Sequence, residues 1–426
     1  MIKIFNVNEV DRDEIFCRVQ PTASVETPVA EILKDVKEKG DEALKEYTKR
    51  FDKADLENFE VTKQEIEEAM QKIEPSFLKI LKEASENIRH FHEQQKRNSF
   101  ILNDKDGIVI GQKIVPLETV GVYVPGGTAA YPSSVLMNII PAKIAGCKNI
   151  IMVSPPDQNG RLSDVILAAA HIAGISRIFK IGGAQAIAAL AYGTQTVPKV
   201  DKIVGPGNAY VAEAKRQVYG LVSIDMIAGP SEILIVADSN SDPRFLAADL
   251  LSQAEHDRMA SAVLVTDCRK LAEETAVEIE KQLEKLGRKD IASASITNNG
   301  KIIVARSIEE AIDIANQIAP EHLELCVDDP FDHLDAIRNA GSIFLGRNTP
   351  EALGDYFAGT NHVLPTSGTA RFSSPLSVDD FVKKMQYTYY SENALGKAAE
   401  KVAAFALKEG LDAHARSALI RNKEDL

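Results

Sequence analysis

A carboxylate and an imidazole stand side by side in this sequence and are the first candidates for chemistry. Glu321 and His322 follow Pro320, which ends a helical pattern and places the pair in a loop before a strand. Two such groups titrating near neutral pH can act as general acid and base. Taken alone, the pair fits a polar surface loop equally well.

Three further segments combine polar side chains at suggestive spacings. Gln253 and His256 are three positions apart, so both lie on one helical face and could share a metal ion. More commonly, such a pair is simply the polar end of a helix, with its side chains hydrogen-bonded within the protein. Asp355 and His362 lie among glycines and hydroxyl groups in an apparent loop, which is typical of functional segments. Glu409–His414, between two helical patterns, would be unremarkable by itself.

Three glycine-rich turns could bind phosphate groups. Each follows a predicted strand and opens towards a helix start, where free backbone N–H groups can bind an anion. None is a complete GxGxxG pattern, and one such turn alone favours a plain tight connection. Three in one block favour a dinucleotide or phosphate ligand. The turns are Val124-Pro125-Gly126-Gly127, Ile181-Gly182-Gly183-Ala184-Gln185 and Val204-Gly205-Pro206-Gly207-Asn208.

The elements that must position these residues alternate between short apolar runs and helical patterns. This alternation begins at Val120 and is repeated in a second block from Ile233. It predicts βαβ units and parallel sheets. We therefore expect an α/β protein with two doubly wound, incomplete Rossmann-like sheet domains. The first hundred residues and the tail from Ser377 are predicted to be helical, with His92 on an exposed helical face.

Composition excludes several classes of protein. The 426 residues carry a formal net charge of −13, which argues against a dedicated nucleic-acid binder. Four scattered cysteines without a CxxC pair exclude a disulfide scaffold and a cysteine-rich zinc finger. No signal peptide, transit peptide or membrane-spanning segment is recognisable, so we expect a cytoplasmic protein without membrane contact.

Taken together, the motifs resemble the histidinol dehydrogenase family. Several long motifs in the family's order make this resemblance specific, and they cover the chain from about residue 110 onwards. They are Gly121–Gly127, Gly182–Ala186, Gly205–Ala209, Ala228–Glu232, Leu251–Asp257, Pro320–Leu323 and Gly359–Thr366.

The resemblance implies NAD-dependent oxidation of L-histidinol to L-histidine through L-histidinaldehyde, the last two steps of histidine biosynthesis. It implies that Zn²⁺ orients the substrate, that His322 is the base and that Glu321 activates water. The implied residues are Gln253, His256, Asp355 and His414 for zinc and substrate; Ser231, His322, His362 and Glu409 for substrate; and Tyr123, Gln185 and Asn208 for NAD.

The resemblance also implies a homodimer with a shared active site, to which the partner's Glu409 and the partner's His414 would contribute. The predicted domains are an N-terminal extension (1–20), a discontinuous first α/β domain (21–120 and 233–375), a second α/β domain (121–232) and a helical tail (376–426) exchanged between subunits. The first α/β domain would carry the zinc and acid–base residues. The second would carry the NAD-binding turns.

Two alternatives remain open at this point. A zinc hydrolase, in which Glu321 activates a metal-bound water, would explain the metal-binding residues but leaves the glycine turns unused. A zinc-dependent scaffold without enzymatic activity would leave the loop around His362 unexplained as well.

Overall fold

The computed structural model describes residues 2–9, 15–16, 25–126 and 130–421. The chain divides into two compact units. The first comprises Met1–Gln95 and Glu118–Phe381, and the second comprises Lys96–Leu117 and Val382–Leu426. Much of the predicted N-terminal extension (1–20), and Gly127 of the first glycine turn, lie outside the described residues.

The strands and helices of the described residues are named in chain order. The strands are β1 (Lys3–Asn6), β2 (Phe100–Lys105), β3 (Ile108–Pro116), β4 (Thr119–Tyr123), β5 (Asn149–Ser154), β6 (Ile178–Lys180), β7 (Lys202–Val204), β8 (Ser223–Ile224), β9 (Glu232–Ala237), β10 (Ser261–Thr266), β11 (Lys301–Val304), β12 (His322–Cys326), β13 (Ser342–Leu345) and β14 (Val382–Tyr390).

The α-helices are α1 (Glu26–Lys39), α2 (Asp41–Tyr47), α3 (Lys63–Lys72), α4 (Pro75–Glu93), α5 (Pro132–Ala145), α6 (Asp164–Ala173), α7 (Gly183–Tyr192), α8 (Ala209–Val218), α9 (Pro243–Ala254), α10 (Arg269–Leu283), α11 (Lys289–Asn299), α12 (Ile308–Ile318), α13 (Glu351–Tyr356), α14 (Glu392–Lys408) and α15 (Asp412–Leu419). Within the described parts of the chain, none of these helices has the length and apolar character needed to cross a membrane.

Two parallel sheets form the core of the first unit and confirm the predicted fold class. The smaller sheet has the order β6-β5-β4-β7-β8, and the larger has β1-β11-β10-β9-β12-β13. If β1 is set aside, both sheets share the doubly wound order in which the first strand is central and the chain then builds outwards on each side. Their strands are continuous apolar runs because helices cover both faces.

The N-terminal helices pack on the smaller sheet's side of the first unit. Val29, Ile32 and Leu33 of α1 share a hydrophobic core with Ala188 of α7 and Val211 of α8. The sequence-based division instead grouped this region with residues 233–375. The difference arises because α7 is buried along almost its whole length, so it needs a second apolar layer above it. The domain boundaries themselves stay a prediction.

The second unit contains an antiparallel sheet that the sequence did not predict. Its order is β14-β3-β2, and β14 occupies Val382–Tyr390, where a helical tail was expected. The side chains of this strand are mostly exposed, so it lacks the buried apolar run by which the parallel strands are recognised. The remainder of the tail is helical as predicted: α14 and α15 pack through Ala403, Ala406 and Ala415.

A buried ion pair fixes the third glycine turn. Lys215 of α8 and Asp225 after β8 are in direct contact, and both side chains are almost inaccessible to solvent. Lys215 Nζ donates to the Gly205 carbonyl at 3.0 Å, and the Gly205 N–H donates to Asp225 Oδ2 at 2.7 Å. Gly205 has a φ of 112°, and a Cβ there would overlap the Tyr123 carbonyl. The ion pair therefore holds a backbone conformation that requires glycine.

Replacing Lys215 with alanine should destabilise the protein strongly, because Asp225 would remain buried without its counter-ion. We expect a loss of about 3–5 kcal/mol in unfolding free energy, measured by guanidinium titration with circular dichroism. The matched control is Lys49→Ala, which removes the exposed Lys49–Asp55 pair and should change little. An unfolding midpoint for Lys215→Ala equal to that of the wild type would contradict this assignment.

Candidate active site

The predicted acid–base pair lies at the amino edge of the larger sheet. His322 is the first residue of β12, not a loop residue as expected, and its register places it opposite Ile233 of β9 and Ser342 of β13. Glu321 precedes it, and both side chains are buried. The candidate acid–base residues therefore lie where a strand of the larger sheet begins. The glycine turns, in contrast, lie where strands of the smaller sheet end.

Two hydrogen bonds orient this pair. His322 Nδ1 lies 3.0 Å from the Glu232 carbonyl oxygen, and because a carbonyl can only accept, Nδ1 carries the proton. Glu321 Oε2 accepts from the Glu232 N–H at 2.9 Å. His322 Nε2 lies 3.4 Å from Asp355 Oδ1 without hydrogen-bond alignment, so it has no partner among the described residues.

The charges of the site are strongly coupled. Burial raises the pKa of Glu321 to about 8, although His322 opposes the shift. Burial lowers the pKa of His322, but Glu321 and Asp355 outweigh it and raise the pKa to about 10. The near-neutral value expected from the sequence is therefore not what these residues give without a bound ligand. A cation placed against Asp355 would offset the carboxylates and lower the pKa of His322.

A cluster of metal-binding side chains adjoins the pair. His256, Glu351 and Asp355 each offer a ligand atom, and these atoms lie within 4.8 Å of one another. Burial lowers the pKa of His256, which favours the neutral imidazole that metals bind. Burial also raises the pKa of Asp355, but His322 outweighs this and brings it to about 2, so the carboxylate is ionised.

The amide of Gln253 adjoins this cluster. It is buried between the Glu351 carboxylate and the Glu232 N–H, and only one orientation pairs its NH₂ group with Glu351 at 3.0 Å. In that orientation its oxygen also accepts from the Glu232 N–H at 3.2 Å. Nitrogen and oxygen ligands of this kind suit zinc and similar divalent metals. The residues present therefore fit a metal ion.

Glu351 is the member of the cluster that the sequence analysis missed. It lies one helical turn before Asp355 on α13, so the i, i+4 spacing of two acids was the available signal. Its backbone N–H donates to Glu324 Oε1 at 2.7 Å, and Ser252 Oγ donates to its Oε2 at 2.8 Å. Burial raises the pKa of Glu351 to about 7.

His362 closes another side of the site. Its Nδ1 lies 3.0 Å from the Asp355 carbonyl oxygen, and its Nε2 lies 3.4 Å from Ser134 Oγ. Thr366 Oγ1 of the same loop accepts from the Gly229 N–H at 2.7 Å, two residues before the predicted substrate residue Ser231. The loop thus joins α5, α13 and the segment that enters β9.

The N-terminal helix α4 holds this loop from behind. Asn87 Nδ2 donates to the Phe357 carbonyl at 2.9 Å, and a Cβ on Gly359 would overlap the Asn87 carbonyl. His92 is completely buried, with Nε2 3.3 Å from the Asn361 amide. The expectation of an exposed His92 was wrong, because its helix face is covered by a loop some 270 residues away in sequence.

The predicted nucleotide residues gather at the carboxyl edge of the smaller sheet. Tyr123 ends β4, and its hydroxyl accepts from the Gly183 N–H at 3.1 Å. Asn208 caps α8, its Oδ1 accepting from Tyr210 and Val211 N–H groups at 3.1 Å. Gln185 is buried, and its Oε1 has no hydrogen-bond partner in the described residues. An unpaired buried acceptor beside glycine turns fits a ligand rich in donors, such as a dinucleotide.

The two remaining predicted site residues lie in the second unit. Glu409 follows α14, His414 lies in α15, and both are exposed in this chain. The cluster of Gln253, His256, Glu351 and Asp355 belongs to the first unit. The assignment of Glu409 and His414 to zinc and substrate stays a prediction.

Fold and site together define an α/β enzyme with a buried acid–base pair beside a metal-binding cluster. The sequence profile of the histidinol dehydrogenase family matches residues 18–422. A relative named histidinol dehydrogenase from Listeria monocytogenes serotype 4b (strain F2365) is 57% identical over 401 residues, covering 94% of each chain. Another of that name, from Clostridium acetobutylicum, is 54% identical over 99% of each chain.

A solved structure agrees with these sequence matches. The histidinol dehydrogenase of Elizabethkingia anophelis superposes with a TM-score of 0.94 at 39% identity, covering 99% of this chain and 98% of the other. The chain belongs to the histidinol dehydrogenase family. It is accordingly an oxidoreductase, and the hydrolase and scaffold alternatives are set aside.

Removing the imidazole of His256 should abolish tight metal binding, since it is the neutral nitrogen ligand of the cluster. We expect His256→Ala to weaken zinc affinity by more than about 100-fold, measured by competition with a chromophoric chelator. His90→Ala, which removes an exposed histidine on α4, is the matched control and should bind zinc as the wild type does. Equal zinc affinity in both variants would remove His256 from the metal site.

Proposed function

We propose that this protein oxidises L-histidinol to L-histidine through L-histidinaldehyde, with two molecules of NAD as hydride acceptors. The observation that carries the proposal is the buried Glu321–His322 pair, held beside a carboxylate and imidazole cluster in a chain of this family. An alcohol must lose a proton and a hydride in the first step. The aldehyde must then be hydrated and lose a second hydride.

His322 is the proposed base in both oxidations. Its Nε2 faces the site without a described partner, while Nδ1–H is held by the Glu232 carbonyl. The carboxylates that raise its pKa belong partly to the cluster that fits a cation. Loading that cluster would therefore shift His322 towards the neutral form that can accept a proton.

Glu321 is the proposed group that activates water for hydration of the aldehyde. Its carboxyl group is buried, lies 3.7 Å from His322 Nδ1 and has a raised pKa. A carboxyl group with such a pKa can both take a proton from water and return it near neutral pH. Ser231 and His362 flank this region and are proposed to contact the substrate.

Zinc is the proposed metal, held by Gln253, His256 and Asp355 together with the partner's His414. A bound zinc ion would supply a positive charge that attracts the imidazole and amine nitrogens of histidinol. The protein residues then keep the substrate in place between the two oxidations, which prevents loss of the reactive aldehyde.

Tyr123, Gln185 and Asn208 are the proposed NAD-binding residues. The overall charge of −13 does not attract an anionic cofactor. Binding must rest on local donors, which the glycine turns offer at the starts of α7 and α8.

A homodimer is the proposed assembly, and a second copy of this chain is the proposed partner of the second unit. That unit exposes several large apolar side chains, among them Phe405 at 77% and Tyr389 at 59% exposure. Glu409 and His414 are exposed in the same unit, which suits residues that complete another subunit's site. A cytoplasmic location stays a prediction from the sequence.

The stoichiometry of the reaction tests the proposed function. Incubating the protein with L-histidinol, NAD and zinc should yield about two NADH per histidinol consumed, since two hydrides are transferred. NADH is followed by absorbance and histidine by chromatography. A ratio near one would remove the second oxidation, and no NADH would end the proposal.

Substituting His322 by alanine should remove the base while leaving the metal site intact. We expect turnover to fall by roughly 10²–10⁴-fold, with unchanged zinc content. Turnover is measured at saturating substrate and zinc by elemental analysis. Wild-type turnover in this variant would refute the role of His322, whereas loss of zinc would assign it to the metal site instead.

A further inference from the structure

A buried carboxyl group next to the metal-binding cluster has no role in the proposed mechanism. Glu324 is the third residue of β12, two positions after His322, and only 1% of it is exposed. Alternation along a strand places both side chains on the same face of the sheet. The next residue on that face, Cys326, belongs to the core that α9 covers, whereas Leu323 and Leu325 lie in the core on the other face.

This carboxyl group meets the start of α13. Glu324 Oε1 accepts from the Glu351 N–H, the first of that helix, at 2.7 Å. The first N–H groups of a helix have no acceptor within it, and Pro350, which precedes α13, supplies no side-chain cap. A residue of a neighbouring strand therefore caps this helix. Because α13 has only six residues, its position depends on such contacts with the rest of the protein.

Helix α9 is joined to the same place. Ser252 Oγ of α9 donates to Glu351 Oε2 at 2.8 Å. Asp249, one turn earlier on α9, forms a side-chain hydrogen bond with Glu324. Two carboxyl groups can bond in this way only when one of them carries a proton. Glu324 thus lies where β12, α9 and α13 meet, the three elements from which the candidate site is built.

The position of α13 decides several distances in the site. Asp355, one turn after Glu351, offers its carboxylate to the cluster with His256, and Asp355 Oδ1 lies 3.4 Å from His322 Nε2. The Asp355 carbonyl oxygen lies 3.0 Å from His362 Nδ1. A shift of this short helix would therefore move a proposed metal ligand and would change its distances to all three imidazoles.

We propose that Glu324 is a positioning residue of the metal site, which fixes the start of α13 and thereby the place of Asp355. This inference rests on the proposed function and deepens it, because it names the group that keeps the metal-binding cluster assembled. Burying a carboxyl group costs free energy, and an apolar side chain of similar size would fill the same space at lower cost. What an apolar side chain lacks is the oxygen that accepts from the Glu351 N–H.

A matched pair of substitutions tests the role of this oxygen. Glu324→Gln keeps an oxygen that can accept from the Glu351 N–H, whereas Glu324→Met keeps the length of the side chain without it. Zinc affinity is measured on the full chain by competition with a chromophoric chelator. We expect it to stay within about threefold of the wild type in Glu324→Gln and to fall by about 10–100-fold in Glu324→Met. Wild-type affinity in Glu324→Met, or equal losses in both variants, would overturn the proposal.

Hydrogen exchange followed by mass spectrometry separates positioning from a general loss of stability. In the metal-free proteins, peptides that cover α13 should exchange faster in Glu324→Met than in Glu324→Gln, while peptides from α7 in the other sheet layer should exchange as in the wild type. Equal exchange of α13 in the two variants would contradict the proposal. Faster exchange throughout the chain would make Glu324 a general structural residue and would contradict it as well. Failure of the proposed function is seen separately, as absence of NADH formation from histidinol by the wild type.

Discussion

Two hydrogen bonds between the first residues of β9 and β12 determine the geometry of the candidate site. The Glu232 N–H binds the Glu321 carboxylate, and the Glu232 carbonyl binds His322 Nδ1. Residues some 90 positions apart in sequence are thereby locked by the register of a parallel sheet. The bond to His322 decides that Nδ1 carries a proton and leaves Nε2 directed towards Asp355. Without them, an acid and a base adjacent in sequence would have no fixed relation to the metal-binding cluster.

The two sheets share a strand order but use opposite edges. In the smaller sheet the glycine turns follow strands, as is usual for doubly wound folds. In the larger sheet Arg347 bridges Asp238 and Asp328 at the carboxyl edge, and the candidate site lies at the amino edge. Glu232, the first residue of β9, has an N–H group there that donates to the Glu321 carboxylate. This explains how acids come to be buried at that edge.

Much of the fold could be predicted because buried parallel strands are continuous apolar runs. The two blocks predicted from Val120 and from Ile233 begin within β4 (Thr119–Tyr123) and β9 (Glu232–Ala237), the central strands from which each sheet is built. β14 could not be recognised, because its exposed side chains give no apolar pattern. Glu351 was missed because the segment around Asp355 was predicted to be a loop, whereas in the structure Glu351 and Asp355 lie on one short helix. The burial of His92 depends on a loop distant in sequence, so the residues around His92 could not predict it.

The contacts of α4 with the loop around His362 have a consequence for how the chain can be shortened. The hydrogen bond from Asn87 to Phe357, the close approach at Gly359 and the His92–Asn361 contact all come from the N-terminal region. A truncated protein starting at β4 would retain the strands of the smaller sheet and the acid–base pair, but the loop that carries His362 would lose its support. Helix α4 therefore cannot be removed without loss of this support, and a minimal catalytic fragment of this enzyme must include it.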